Sequence, residues 1–220
     1  MLSPSHQNRA LTATKALKAL VVVGLSVTTL SGCSFSSPPP NSNDICSVFQ
    51  QYPRWYWDAM DTYKTWGIPI GVQMAIVNQE SSFRADARPP RTTLLGFIPW
   101  SRPTTAYGYA QAVNGTWAQY QQETNSPDAK RDNFADAVDF IGWYSRGAEQ
   151  TLHISPRNAY SLYLAYHEGM GAYAQGSYYQ KPWLMDVARN VQNNADRYRN
   201  QLMYCYKTIP KPSVWNLWLH

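Results

Sequence analysis

The feature that most constrains the fold of this chain is a series of segments whose apolar residues recur at helical spacing. Proline suits the first position of a helix, because its missing N–H is not needed there, and glycine suits the position after the last. Pro53 and Gly67 bracket the first segment, Pro69 opens a second, and Pro182 opens the last and longest. Asn114 is predicted to cap a further helix, another helix is predicted over 134–148, and Ser155 is predicted to cap a helix that has Pro156 at its first position. Because alternating patterns typical of strands are sparse, the sequence predicts a mainly α fold with little or no sheet.

The first 33 residues are predicted to be a lipoprotein signal peptide. Three basic residues and no acidic one accompany a twelve-residue apolar run, Ala19–Leu30, which is too short to span a bilayer as a helix. The next segment, Leu30-Ser31-Gly32-Cys33, resembles the bacterial lipobox, in which the cysteine is lipidated and becomes the first mature residue. Ser34 is not the aspartate associated with inner-membrane retention, so the resemblance implies an outer-membrane lipoprotein that faces the periplasm. The alternative is a plain signal peptide in which Cys33 is incidental.

The rest of the chain divides into a linker, one domain and a tail. Residues 34–43 are rich in proline and serine and are predicted to form a short linker. Residues 44–206 are long enough for one domain with its own core, and 207–220 form a tail that contains two prolines and two tryptophans.

Charge and composition exclude several classes of function. Residues 34–220 contain 16 Lys and Arg against 14 Asp and Glu, so removing the signal peptide lowers the net charge from +5 to +2. This near-neutral balance is not the footprint of a nucleic-acid-binding protein. The sequence has neither a zinc-ligand spacing nor a phosphate-binding glycine loop, so we expect no metal and no cofactor.

Two cysteines, Cys46 and Cys205, lie at the two ends of the predicted domain. In an oxidising periplasm such a pair is expected to form a disulfide, which would join the first helix to the last. The alternative is two separate buried thiols.

Three short segments indicate the chemistry. They are Gln79-Glu80-Ser81-Ser82-Phe83, Gly108-Tyr109-Ala110-Gln111 and Ala165-Tyr166-His167-Glu168-Gly169. In this order they resemble the Glu-Ser-x-Phe, Gly-x-x-Gln and Ala-Tyr-Asn-x-Gly segments of the soluble lytic transglycosylase family, whose members cleave the glycan strands of bacterial peptidoglycan. The resemblance extends from Pro69 to about Gly171 and implies a lysozyme-like fold for the domain, with peptidoglycan as its partner.

The resemblance assigns the catalytic role to Glu80. Cleavage of a glycosidic bond needs an acid that keeps its proton near neutral pH, and burial among apolar groups raises the pKa of a carboxyl group into that range. In this family one glutamate acts as acid and then as base, while the muramic acid 6-hydroxyl attacks C1 and gives a 1,6-anhydro product. The residues that the resemblance implies as substrate contacts are Ser81, Tyr109, Gln111, Tyr166 and His167, and Tyr166 is the one implied to orient the acid.

Some residues depart from the family pattern and keep two other functions open. His167 replaces the usual asparagine, and Glu168 brings a second carboxylate next to the proposed site. Asp86, six residues after Glu80, could also hold a water, as in goose-type lysozymes. With such a carboxylate the protein would be a hydrolytic muramidase, whereas both carboxylates could equally be ordinary solvated groups. The other alternative is a noncatalytic lipoprotein that binds peptidoglycan.

The 28 residues from Glu80 to Gly108 form a longer interval than the family usually has. This interval includes the apolar stretch Leu94–Trp100, which proline and glycine exclude from a long helix. Such a stretch forms either a packed satellite cluster or a flap over the glycan groove. The nine Trp and sixteen Tyr residues likewise fit either core packing or stacking against sugar rings.

Overall fold

The computed structural model describes residues 37–94, 98–99 and 101–211 of the chain. This part folds into eight α-helices and one antiparallel pair of two-residue strands. The helices are α1 (Ile45–Gln51), α2 (Pro53–Trp66), α3 (Ile70–Ser81), α4 (Asn114–Glu123), α5 (Phe134–Leu152), α6 (Ala159–Glu168), α7 (Met170–Ala174) and α8 (Pro182–Cys205). The strands are β1 (Thr93–Leu94) and β2 (Ile98–Pro99), and short 3-10 helices cover Ser177–Gln180 and Tyr206–Thr208.

The helix boundaries follow the capping signals of the sequence with two exceptions. Asn114, which was predicted to cap a helix, is instead the first residue of α4, and Val113 occupies the N-cap position. Pro53 and Pro182 open α2 and α8, and Gly67 ends α2 in the left-handed conformation with φ of 76°. The prediction that Ser155 caps a helix is wrong. Asn158 is the N-cap of α6, because its side-chain oxygen accepts a hydrogen bond of 3.0 Å from the Ser161 N–H.

Helix α3 lies in the middle of the fold and is buried along most of its length. It packs against α8, where the Cα of Gly71 comes so close that an added Cβ would lie 2.7 Å from the Ala195 carbonyl oxygen. The buried Gln73 amide donates hydrogen bonds to the carbonyls of Ala59 and Ile68, at 3.1 and 2.7 Å. These contacts fix α3 against α2 and α8, so they also fix the residues at its C-terminal end.

The two ends of the domain are joined covalently. A disulfide links Cys46 in α1 to Cys205 at the end of α8, with 5.9 Å between the Cα atoms. Beside it, the Gln201 side chain accepts a hydrogen bond of 2.9 Å from the Ile45 N–H. The first and last helices of the domain are therefore held together by a covalent bond and a hydrogen bond.

The long interval after α3 contains the short hairpin of β1 and β2. Thr93 pairs with Pro99 and Leu94 with Ile98, and the Thr92 N–H donates to the Ser101 carbonyl at 2.9 Å. The choice between a packed cluster and a flap depends on side chains that lie outside the described residues. The signal peptide, Cys33 and most of the tail also lie outside them. No helix among the described residues has the length and apolar character needed to span a membrane.

Candidate active site

Glu80 lies in the last turn of α3, where the chain turns sharply. Ser82 and Phe83, which follow the helix, both have positive φ, at 51° and 61°. The Phe83 side chain is completely buried and stacks on Trp55, with ring centroids 5.9 Å apart. Non-glycine residues adopt such φ values only where their surroundings enforce them, often at functional sites. The anchored turn therefore holds the end of α3, and Glu80 with it, in one position.

The carboxyl group of Glu80 is enclosed by protein, although the residue as a whole is half-buried. Burial raises its pKa from the ordinary value of 4.5 to about 7, and a hydrogen bond with the Tyr163 side chain opposes part of this rise. Desolvation penalises the charged form of a carboxyl group and leaves the neutral form favoured. Glu80 can therefore keep a proton near neutral pH and give it to a bound substrate.

Two tyrosines of α6 lie beside this carboxyl group. Tyr163 hydrogen-bonds Glu80, and burial together with the nearby Glu80 raises the pKa values of Tyr163 and Tyr166. Residues three apart share one helix face, so one turn of α6 presents both rings. Sequence comparison with the family motif predicted only Tyr166 and missed Tyr163. The helical spacing of the two tyrosines is the signal that could have indicated the second residue.

Tyr166 also connects α6 to the Gly108–Gln111 segment. Its hydroxyl group donates a hydrogen bond of 2.6 Å to the Ala110 carbonyl. The ring packs edge-on against Tyr144, at 5.2 Å between centroids. Because Tyr166 interacts with Glu80 as well, the structure brings all three predicted motifs together at one site.

The Gly108–Gln111 segment depends on a glycine at its first position. Gly108 has φ of 79°, and an added Cβ would lie 2.0 Å from the Arg131 carbonyl oxygen. Gln111, with φ of 49°, donates from its side-chain nitrogen to the carbonyls of Ala87 and Gly108, both at 2.8 Å. These bonds fix the loop to the segment that follows α3.

Three predicted substrate contacts have different surroundings. Tyr109, which was predicted to contact the substrate, is 1 % exposed and packs in the core against Trp55 and Phe134. Its ring is therefore not open to a substrate. Ser81 is also buried, and its hydroxyl donates to the Val77 carbonyl at 3.1 Å. His167, in contrast, is exposed and packs edge-on against the exposed ring of Trp183. Of these three side chains, only His167 lies on the surface.

The two candidate second carboxylates lie in different environments. Ser177 donates to Glu168 at 2.6 Å, and the Lys181 ammonium contacts both carboxylate oxygens at 2.8 Å. Hydrogen bonds from Lys181 and Ser177 lower the pKa of Glu168 to about 2, so this group is ionised and covered by its partners. Asp86 lies on the exposed loop after α3. Within the described residues, no cluster of three or more His, Cys, Asp or Glu side chains could hold a metal ion.

Comparison with known protein families agrees with this arrangement. The family model of the transglycosylase SLT domain matches residues 21–205, and the chain therefore belongs to this family. The match confirms the predicted mainly α, lysozyme-like fold, and it makes this a domain of a transglycosylase-type enzyme family that acts on peptidoglycan. The matched range begins within the segment predicted to be the signal peptide. Neither the curated proteins nor the solved structures include a significant match.

Proposed function

We propose that this protein is a lytic transglycosylase that cleaves the β-1,4 bond between N-acetylmuramic acid and N-acetylglucosamine in peptidoglycan. The observation that carries the proposal is the enclosed carboxyl group of Glu80, whose pKa is raised to about 7 in a chain of the SLT family. A general acid is most effective when its pKa lies near the working pH.

In the proposed reaction Glu80 first donates a proton and then accepts one. The neutral carboxyl group first protonates the glycosidic oxygen, and the bond from that oxygen to C1 of the muramic acid breaks. The Glu80 carboxylate then accepts the proton of the C6 hydroxyl group while the C6 oxygen bonds to C1. The products are a free N-acetylglucosamine end and a 1,6-anhydro-muramic acid end. Glu80 returns to its neutral form, and no water is consumed.

The surroundings of the carboxylates favour this reaction over hydrolysis. A glycosidase with a second catalytic carboxylate places that group about 5–10 Å from the acid. Both oxygens of Glu168 are bonded to Lys181, which supports a structural role for that residue.

Tyr163 and Tyr166 act as positioning residues in the proposed mechanism. The hydrogen bond from Tyr163 fixes the rotamer of Glu80 and lowers its pKa from the value that burial alone would give. Tyr166 holds the Ala110 carbonyl and so orders the Gly108–Gln111 loop beside the acid. His167 and Trp183, which form an exposed ring pair, offer a surface for the glycan.

Digestion of purified sacculi tests the proposed function. Mass spectrometry should detect anhydro-muropeptides, which are lighter than hydrolytic products by one water. Glu80→Gln, which keeps the volume and loses the acid, should remove them, with a loss of about 10²–10⁴-fold or more in turnover. Reducing-end products would instead support a muramidase, and binding to sacculi without any product would support a noncatalytic tether.

We also propose that the protein is anchored in the outer membrane by lipid on Cys33 and faces the periplasm. The proposal is supported by the sequence of the first 33 residues, in which an apolar run ends at a lipobox-like segment. Acyl chains contribute about 0.8 kcal/mol per buried methylene, so a multiply acylated cysteine anchors a protein without a spanning helix. Cys33→Ala should move the active protein from the membrane fraction to the soluble fraction. A variant that stays in the membrane fraction would contradict the lipid anchor.

A further inference from the structure

A cleft of about 930 Å³ lies at the end of α3 that is remote from Glu80. It is lined by Ile70 and Gly71 at the start of that helix, whereas Glu80 lies ten residues further on, or about 15 Å at 1.5 Å per residue. The walls come mainly from α2 and α8, and the lining also includes three charged residues, Arg157, Asp196 and Arg199. We refer to it as the α2–α8 cleft, and its main apolar lining residues are Tyr56, Met60, Tyr63, Leu202, Met203 and Tyr206. The proposed reaction leaves this cleft without a role.

The α2–α8 cleft leaves apolar side chains in contact with solvent. Tyr63 and Tyr206 are each 46 % exposed, and Met203 is 61 % exposed. A contiguous exposed apolar patch of this kind usually marks a surface that contacts another chain segment, a ligand or a membrane. Contacts among the described residues therefore leave a large part of each of these three side chains open to an occupant.

We propose that residues 212–220 of the same chain occupy the α2–α8 cleft. The described part of the chain ends beside it. Tyr206 lines the cleft, Ile209 is buried, and the Pro210 carbonyl accepts a hydrogen bond of 2.8 Å from the Trp57 indole. Trp57 directly follows Tyr56, another lining residue, and the two rings are 5.0 Å apart. The chain is thus fixed at the edge of the cleft two residues before the proposed segment begins.

The length of this segment suits the cleft. Nine extended residues reach up to about 30 Å. The α2 wall from Tyr56 to Tyr63 is only about 10 Å long, since a helix rises 1.5 Å per residue. The segment could therefore cross the whole cleft from its starting point at Lys211.

The composition of the segment also suits an apolar groove. Residues 212–220 have the sequence PSVWNLWLH, which contains two tryptophans, two leucines and a valine but no Asp, Glu, Lys or Arg. Burying such side chains against methionine and tyrosine is favourable, and the segment itself brings no charge that has to be desolvated. The docked segment would connect α2 to α8 on the side where the Cys46–Cys205 disulfide already joins α1 to α8.

Photo-crosslinking in the full-length protein tests this proposal. The photoreactive amino acid p-benzoylphenylalanine, placed at Trp218, inserts into nearby C–H bonds and favours methionine. After irradiation in a bacterial host, peptide mapping should find intramolecular adducts on the α2 peptide that contains Met60. Two charged substitutions on α8 provide a matched pair. Met203→Glu places a charge in the cleft and should lower the yield of the α2 adduct about tenfold or more. Tyr204→Glu alters a neighbouring residue that is 85 % exposed and does not line the cleft, and it should leave the yield unchanged.

A different occupant of the α2–α8 cleft, or a different location for residues 212–220, would give a distinct result. Adducts between two copies of the chain, or adducts to lipid, would show that the segment contacts a second molecule or the membrane, and either result would overturn the proposal. An absence of adducts on α2 and α8 in the unsubstituted protein would also overturn it. This mapping does not depend on the folding of either glutamate variant.

Discussion

Glu80→Gln should stabilise the protein at neutral and alkaline pH while removing its activity. Burial keeps the folded-state pKa of Glu80 at about 7, against 4.5 for the exposed group in the unfolded chain. Between these two values the unfolded chain has released the proton and the folded protein still holds it, so the free energy of unfolding falls as pH rises. A difference of one pKa unit corresponds to about 1.4 kcal/mol, so the total loss is roughly 3 kcal/mol, complete above pH 7. Glutamine does not titrate and avoids this loss.

Urea denaturation at several pH values between 4 and 8 measures the effect. The variant and the unsubstituted protein should differ little at pH 4, and the difference should grow to roughly 3 kcal/mol at pH 8. Any difference in packing between the amide and the neutral carboxyl group is the same at every pH, so it does not affect the trend. Asp86→Asn, which alters an exposed carboxylate, is the control and should not reproduce the trend. A difference that stays constant with pH would refute the raised pKa and with it the general-acid role.

Three further predictions concern the residues around the acid and the covalent frame. Tyr163→Phe removes a hydrogen bond that lowers the pKa of Glu80, so the alkaline limb of the pH–rate profile on sacculi should move to higher pH; an unmoved limb would contradict the positioning role. Gly108→Ala places a methyl group 2.0 Å from the Arg131 carbonyl oxygen at a positive φ, so the loop must shift, and turnover should fall about 100-fold with a lowered Tm. Replacing both Cys46 and Cys205 by serine opens a loop with a sequence separation of 159 residues and should cost up to about 5 kcal/mol in urea unfolding; a loss below about 1 kcal/mol would contradict the chain-entropy account.

The helices could be predicted from the sequence wherever a single residue determines a boundary. Proline at the start of α2 and of α8 and glycine after α2 are such residues. The start of α6 could not be predicted this way, because two polar residues three positions apart, Ser155 and Asn158, compete for one capping role. The Ser155 carbonyl accepts a hydrogen bond from the Asn158 N–H and so forms a turn. The Asn158 side chain, which follows this turn, caps the helix. Which of the two side chains reaches the free N–H groups depends on the path of the preceding chain, and the sequence does not specify that path.

In the site, too, some features could be predicted from the local sequence, whereas others depend on how distant parts of the chain pack together. The three motifs in their order predicted that Glu80 is the acid, and the apolar residues near it in the sequence allowed for its burial. The direction of a loop side chain was not predictable in this way, because it depends on backbone φ. Gly108 and Gln111 both have positive φ, and between them the Tyr109 ring points into the core, where Trp55 and Phe134 surround it. The role of Tyr163 depends equally on how α6 is rotated against α3.

The contrast between Glu80 and Glu168 indicates how a site with two glutamates can use only one of them as a catalyst. Their pKa values lie near 7 and near 2, a separation that resembles the acid and ionised partner of a two-carboxylate glycosidase. Glu168 instead binds Ser177 and Lys181, so its charge fixes the end of α6 to the start of α8. This ion pair holds the helix that carries Tyr163 and Tyr166, and the second glutamate therefore supports the first through the position of α6.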